Sequence, residues 1–255
     1  MEMSQPTLPT QLPRAGWIVL FLLGAVIATA WLVTWWTAAD YGDLLMMQLA
    51  GSAPTDTLLF VGLSGAMMVA MMLPSALPMV RTYGSLATSE AGVKEGRSRT
   101  GIFVAGYFLA WTAFAAVSLV LLSAAGLMGE VTGPLRYVPG TLLIAMGIYQ
   151  LTAWKQSCLQ QCRTPTSFVL TRWRSGRRGA LRMGLDHAGY CLGCCWLLML
   201  VLFVAGAMGL LWMGVFSLLI LGEKVWSRGE LFSRAIGATG IAVGSVALAF
   251  AGIGP

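Results

Sequence analysis

Gly16 to Ala38 contains no Asp, Glu, Lys or Arg, and the same holds for Thr57 to Val80, Gly101 to Met128, His187 to Ala205 and Ala235 to Ile253. Each of these runs is close to or longer than the ~20 apolar residues a helix needs to cross the hydrocarbon of a bilayer. Within hydrocarbon the backbone finds no water, so a crossing segment must satisfy its own N–H and C=O groups, and an uninterrupted helix does so. Charged residues make up only 10% of the chain, against roughly 25% in a soluble domain. The expected fold is therefore all-α, a polytopic transmembrane helix bundle rather than a soluble domain with an oversized core.

About seven spans are expected. To the five runs above are added one from near Gly133 to at least Trp154 and one from Leu210 to Val225. The fifth span begins near His187 and turns to the sixth at Gly206-Ala207-Met208-Gly209, a hairpin signal. The first run exceeds the roughly 7–15 residue core of a cleaved signal peptide, so it reads as retained. Residues 1–15 form a tail and residues 16–255 a single helical domain. With the N-terminus cytoplasmic, fifteen of the sixteen basic residues fall inside and only Arg136 outside. The positive-inside rule then places the C-terminus outside and puts cytoplasmic loops near 81–100 and 155–186. The net charge of +6 belongs to those loops, so a nucleic-acid partner is not expected. Ser167 to Arg174 mixes apolar, aromatic and basic residues, which suits either the anionic headgroups of the inner leaflet or an ordinary basic loop.

All five cysteines and the only histidine lie between Cys158 and Cys195. Packing alone would scatter cysteines along the spans, and thiolate and imidazole are ligands for soft or borderline metals. Cys158 and Cys162, spaced i, i+4, share a face if the fourth helix continues through them to Pro165. His187, Cys191, Cys194 and Cys195 fall within roughly 100° of arc on one helix. The candidate metal ligands are Cys158, Cys162, His187, Cys191, Cys194 and Cys195, with Asp186 either hydrogen-bonded to the imidazole or capping the helix. Six donors exceed the four a tetrahedral site needs, so a subset binds one ion or two ions lie close together. Thiols facing the cytoplasm stay reduced, which leaves them free for metal.

The second span contributes Met67, Met68, Met71, Met72 and Met79, candidates for a thioether relay. Ser64, Met68, Met71, Ser75 and Met79 follow a helical stripe. Thioethers suit Cu(I), although methionine also serves simply as packing. Pro74 and Pro78 free the carbonyls of Ala70 and Pro74, as a helix beside a protein interior tolerates. Met46 and Met47, near Asp40 and Asp43, are a further candidate, for metal capture on the outer side.

Gly147-Ile-Tyr149-Gln150-Leu-Thr152, Cys158-Leu-Gln-Gln-Cys162-Arg163, His187-Ala-Gly-Tyr-Cys191-Leu-Gly-Cys194-Cys195-Trp196 and Met71-Met72-Leu-Pro74-Ser75 together resemble a bacterial family of predicted metal-binding integral membrane proteins of unknown function. The resemblance runs from the second helix to the last. Ala153-Trp154 stands where that family has a Pro-Leu pair. The resemblance implies metal binding and residence in the bacterial inner membrane, and fixes neither the metal nor a reaction.

These readings converge on a membrane protein that handles a soft transition metal. Cu(I) is favoured over Zn(II), in transport, delivery or assembly of a membrane metalloprotein. A metal donor or acceptor protein, or the metalloenzyme itself, would be the partner, alongside the lipid bilayer. The alternatives are thiol–disulfide electron transfer and an accessory subunit of a membrane complex with a structural zinc. No nucleotide-binding GxxxxGK[ST] string, HExxH string or nucleophile triad is present, so enzymatic activity is not expected. Glu223 and Lys224 read as interfacial residues at a helix end.

Overall fold

The computed structural model describes residue 21 and residues 24–36, 54–125, 133–204 and 210–253, and these are helical almost throughout. The elements are α1 (Gly24–Trp36), α2 (Pro54–Ala124), a 3-10 turn (Gly133–Tyr137), α3 (Val138–Gln150), α4 (Ala153–Arg163), α5 (Pro165–Thr171), α6 (Gly176–Val204), α7 (Leu210–Val225) and α8 (Gly229–Ile253). Among the described residues, three helical stretches are long and apolar enough to cross a membrane: Gly65–Leu122, Gly176–Val204 and Gly229–Gly252. The tail, the hairpin at 206–209, Met46 and Met47 with Asp40 and Asp43, and the side chain of Ser64 lie outside the described residues.

The element α2 is a pair of limbs, 54–91 and 93–124, joined at Gly92, whose φ of 79° and ψ of 168° only glycine adopts without strain. The limbs fold back on each other. Gly96 lies against Thr88, and Gly84 against Thr100. At the tip, Arg99 pairs with Glu90 and Glu95, and Arg177 of α6 pairs with Glu95. The expected loop near 81–100 is thus helix up to and beyond one residue, because local salt bridges and small residues let both limbs extend past the apolar runs. Pro74 does free the carbonyl of Ala70, and the indole of Trp31 in α1 donates to it at 3.2 Å.

Two further expectations are corrected. The fourth helix does not run on to Pro165. It stops at Gln150, and a new helix starts after Thr152, which is extended and accepts a hydrogen bond from the backbone N–H of Lys155 on its side chain. The expected loop near 155–186 is therefore α4, α5 and the first turns of α6. The fifth helix starts at Gly176 rather than near His187, which puts the histidine well inside α6.

Helix α6 is the centre of the molecule. Its most apolar stretch is 61% buried, against 17% for that of α8. It meets the second limb of α2 at close range, since a methyl group on Gly184 would stand 2.1 Å from the carbonyl oxygen of Phe103. That approach carries Phe103 and Tyr107 onto the same turns of α6 as His187 and Cys191. On the other flank, α3 packs along α8 through Gly140, Gly147, Gly237 and Gly244, which leaves α4 free to cross α6.

Candidate metal centre

The four candidate ligands of α6 project from its middle, and what each meets depends on the neighbouring helix. Helix α4 crosses at Cys191 and Cys194 and lays Cys162 beside them. The sulfurs of Cys162, Cys191 and Cys194 all lie within 4.8 Å of one another, and all three residues are buried. Three sulfurs bonded to one ion in a plane at ~2.3 Å stand about 4.0 Å apart, so closing this trio around a metal takes movements of less than about 1 Å. All five cysteines are free thiols. Soft sulfur donors without carboxylates are the set that selects Cu(I) or zinc over hard ions.

The thiols are not alone. The ammonium of Lys224 donates to Cys191 Sγ at 2.8 Å and to the hydroxyl of Ser75 at 3.2 Å. The hydroxyl of Tyr107 lies 2.9 Å from the same sulfur. Cys191 therefore has a cation and a phenol on it, a fitting environment for a thiolate. The thiols of Cys194 and Cys195 both donate to the carbonyl of Cys191. In α4, hydrogen bonds with Cys191 and Cys194, and then burial, push the Cys162 thiol well above its ordinary range, while burial pushes up that of Cys158.

The other sequence candidates separate into three groups. Met67, Met68, Met71 and Met72 are buried in the same core as the cysteines, with Tyr107 and Trp111. Met79 lies in a second cluster with Tyr83, Phe103, Phe168 and Met183. Cys195 is buried beside the trio but outside it, and Cys158 faces Gly193, where a methyl group would stand 2.8 Å from its sulfur. His187 is not in the trio. Its ring is stacked on Tyr107 and Phe103, with Phe168 edge-on, and both ring nitrogens are buried without a hydrogen-bond partner. Asp186 consequently makes no hydrogen bond to it, and lines an open pocket instead.

Glu223 and Lys224, expected at the interface, are 1% and 7% exposed. Lys155, expected in a basic loop, is fully buried and pairs with Glu223 at 2.8 Å. Gln150 and Ser233 complete the network, through Gln150 to Glu223 at 2.8 Å and Lys155 to Ser233 at 2.5 Å. Arg163 donates to the carbonyls of Glu223 and Ser227, satisfying the end of α7. These contacts tie α4, which carries Cys162, to α7, which carries Lys224. The available signal was two ionisable residues closing an apolar run, which in a membrane segment mark function by default.

A family model described as PpoB2, copper chaperone, matches residues 63–247, a stretch that includes every cysteine, the histidine, Lys224 and the methionines of α2. No curated protein matches the chain, and no solved structure does.

Proposed function

The chain belongs to the PpoB2 copper chaperone family, and on that premise we propose that it holds Cu(I) on the thiols of Cys162, Cys191 and Cys194 within a membrane bundle and passes it to a metalloprotein. The observation that carries the reading is the buried sulfur trio, assembled from two helices with a cation already on one member. Cys191 and Cys194 supply two ligands from one face of α6, and Cys162 arrives from α4. When the ion takes a lone pair of Cys191, Lys224 keeps Ser75 as its partner. Met68, Met71 and Met72 line the apolar side of the same core, where thioethers offer weaker bonds along a path out.

The proposed setting is the bacterial inner membrane. The two limbs of α2, α6 and α8 are the long apolar crossings, and the shorter apolar helices α1, α3 and α7 are proposed to bring the number to seven, with the N-terminus cytoplasmic. Lys155 and Lys224 are buried and weigh little in the charge count. The remaining basic residues around the tip of α2 and the start of α6 still support that orientation. Three thiols without carboxylates favour Cu(I) over Zn(II), which prefers a fourth ligand.

The test is metal analysis with copper X-ray absorption on the purified protein in detergent. About one Cu(I) per chain with a sulfur-only shell is expected. A wild-type protein that retains no copper, or whose copper carries nitrogen and oxygen neighbours only, removes this reading.

A further inference from the structure

An open pocket of about 610 Å³ lies between α3–α4 on one side and α6 on the other. Its volume falls within the roughly 300–1,000 Å³ of small-molecule sites, far too little for a folded partner. One cysteine outside the trio, Cys158, lines it. Cys158 stands one turn before Cys162 on the same face of α4, so the thiol that meets the pocket is the neighbour of a thiol in the trio. Its sulfur is seated over Gly193, the one residue type that leaves it room there.

The walls suit a small polar guest with an apolar body. Tyr149, Trp154, Tyr190 and Trp196 are aromatic, and Tyr149 is fixed by its hydroxyl donating to the carbonyl of Gly193. Arg172 brings a cation to the pocket. Its guanidinium lies 4.9 Å from the Tyr190 ring centroid and donates to the Tyr190 hydroxyl. Asp186 brings an anion, and no ion pair of the described residues uses it. A positive and a negative group, unpaired with each other, face one cavity beside a thiol.

We propose that this pocket receives Cu(I) bound to a small zwitterionic thiol, of the amino-acid or short-peptide class, and that Cys158 is the residue that takes the ion from it. Arg172 meets the carrier's carboxylate and Asp186 its ammonium. A bond forms from Cys158 Sγ to copper while the carrier's sulfur–copper bond breaks. The Cys158 proton passes to the departing thiolate. Copper stays Cu(I) and no electron moves. A bond from Cys162 Sγ to copper then forms as the Cys158–copper bond breaks, the Cys162 proton returns to Cys158, and the ion enters the trio. This inference rests on the copper reading above and names the port by which that site is filled.

The experiment follows loading of the full-length protein in detergent by stopped-flow absorbance of the thiolate–Cu(I) band. Copper is offered either as its glutathione complex or as its acetonitrile complex. Gly189 lines the pocket with open space where a side chain would project, so Gly189→Leu fills the port without disturbing the core. Gly189→Leu should slow loading from the glutathione complex about tenfold or more by steric exclusion. Its loading from acetonitrile and its final copper content should stay at wild-type values. Arg172→Gln and Cys158→Ser should each slow loading from the glutathione complex. Equal rates for wild type and Gly189→Leu overturn the proposal. So does a wild-type protein that loads from acetonitrile but not from glutathione, and in that case the trio assignment survives. A wild-type protein that loads from neither source overturns both.

Discussion

Two neighbouring turns of α6 carry candidate ligands on one face, yet they have become different environments. At Cys191 and Cys194, helix α4 delivers a third sulfur and α7 an ammonium. At His187, one turn earlier, α2 and α5 deliver three aromatic rings and no polar partner. Tyr107 stands between the two, with its hydroxyl on Cys191 and its ring on His187. A shared face on one helix is thus a necessary condition for a shared ion and not a sufficient one. The crossing helices decide which donors meet.

The strongest way to break the contrast is to remove the sulfur side. The Cys162→Ser, Cys191→Ser, Cys194→Ser triple variant should fall from about one copper per chain to background with its helical circular dichroism unchanged. Full metal content in that variant would move the site elsewhere.

Next comes the scaffold that holds α4 against α7. Lys155 and Glu223 are an ion pair with 0% and 1% of their side chains exposed. Removing one partner strands the other charge, which costs ~3–5 kcal/mol for a buried pair. Lys155→Met should therefore lower the thermal midpoint in detergent steeply and lose copper as α4 comes loose. Lys155→Met with Glu223→Met should recover most of that midpoint, since two apolar residues leave no charge behind. If the single variant melts as wild type does, the network is not what fixes α4.

A smaller effect is expected at Lys224, which touches a ligand without being one. Partners of this kind change metal affinity by roughly 10–100-fold when removed. Lys224→Met should weaken Cu(I) binding by that order in competition with a chromogenic chelator, at unchanged stoichiometry. A loss of stoichiometry instead would make Lys224 essential to the fold of the trio.

What could be read in advance follows the range of the interaction concerned. The apolar runs, the stripe on α6 and the burial of the α2 methionines are patterns of local spacing, and the sequence displays them. The stop at Gln150 was half visible. Thr152 is a good N-cap residue, and the proline that the resembled family carries where Ala153 stands would sit at the first helical position, a favoured place for it. The start of α6 at Gly176 was hidden because the Arg-rich segment after it is polar, and it is helical by virtue of packing on α2 at Gly106 and Gly184. The contacts of Lys155 with Glu223 and of Lys224 with Cys191 join residues far apart in the chain. No periodicity records such a pairing, and a basic residue near a span end reads as a topogenic charge until its partner is seen.

The last prediction tests the quiet side of the comparison. Two imidazole nitrogens are buried with no hydrogen-bond partner, and a buried polar group left unsatisfied costs about 1–3 kcal/mol. His187→Leu replaces the ring with an apolar side chain among Phe103, Tyr107 and Phe168, and so should raise the thermal midpoint rather than lower it. Its copper affinity and its sulfur-only absorption spectrum should match wild type, because the thiols that meet are those of α4 and the later turn of α6. A His187→Leu protein that folds but loses copper would mean that the imidazole leaves its aromatic box to join the loaded site. The two turns would then act as one centre in the copper-bound state.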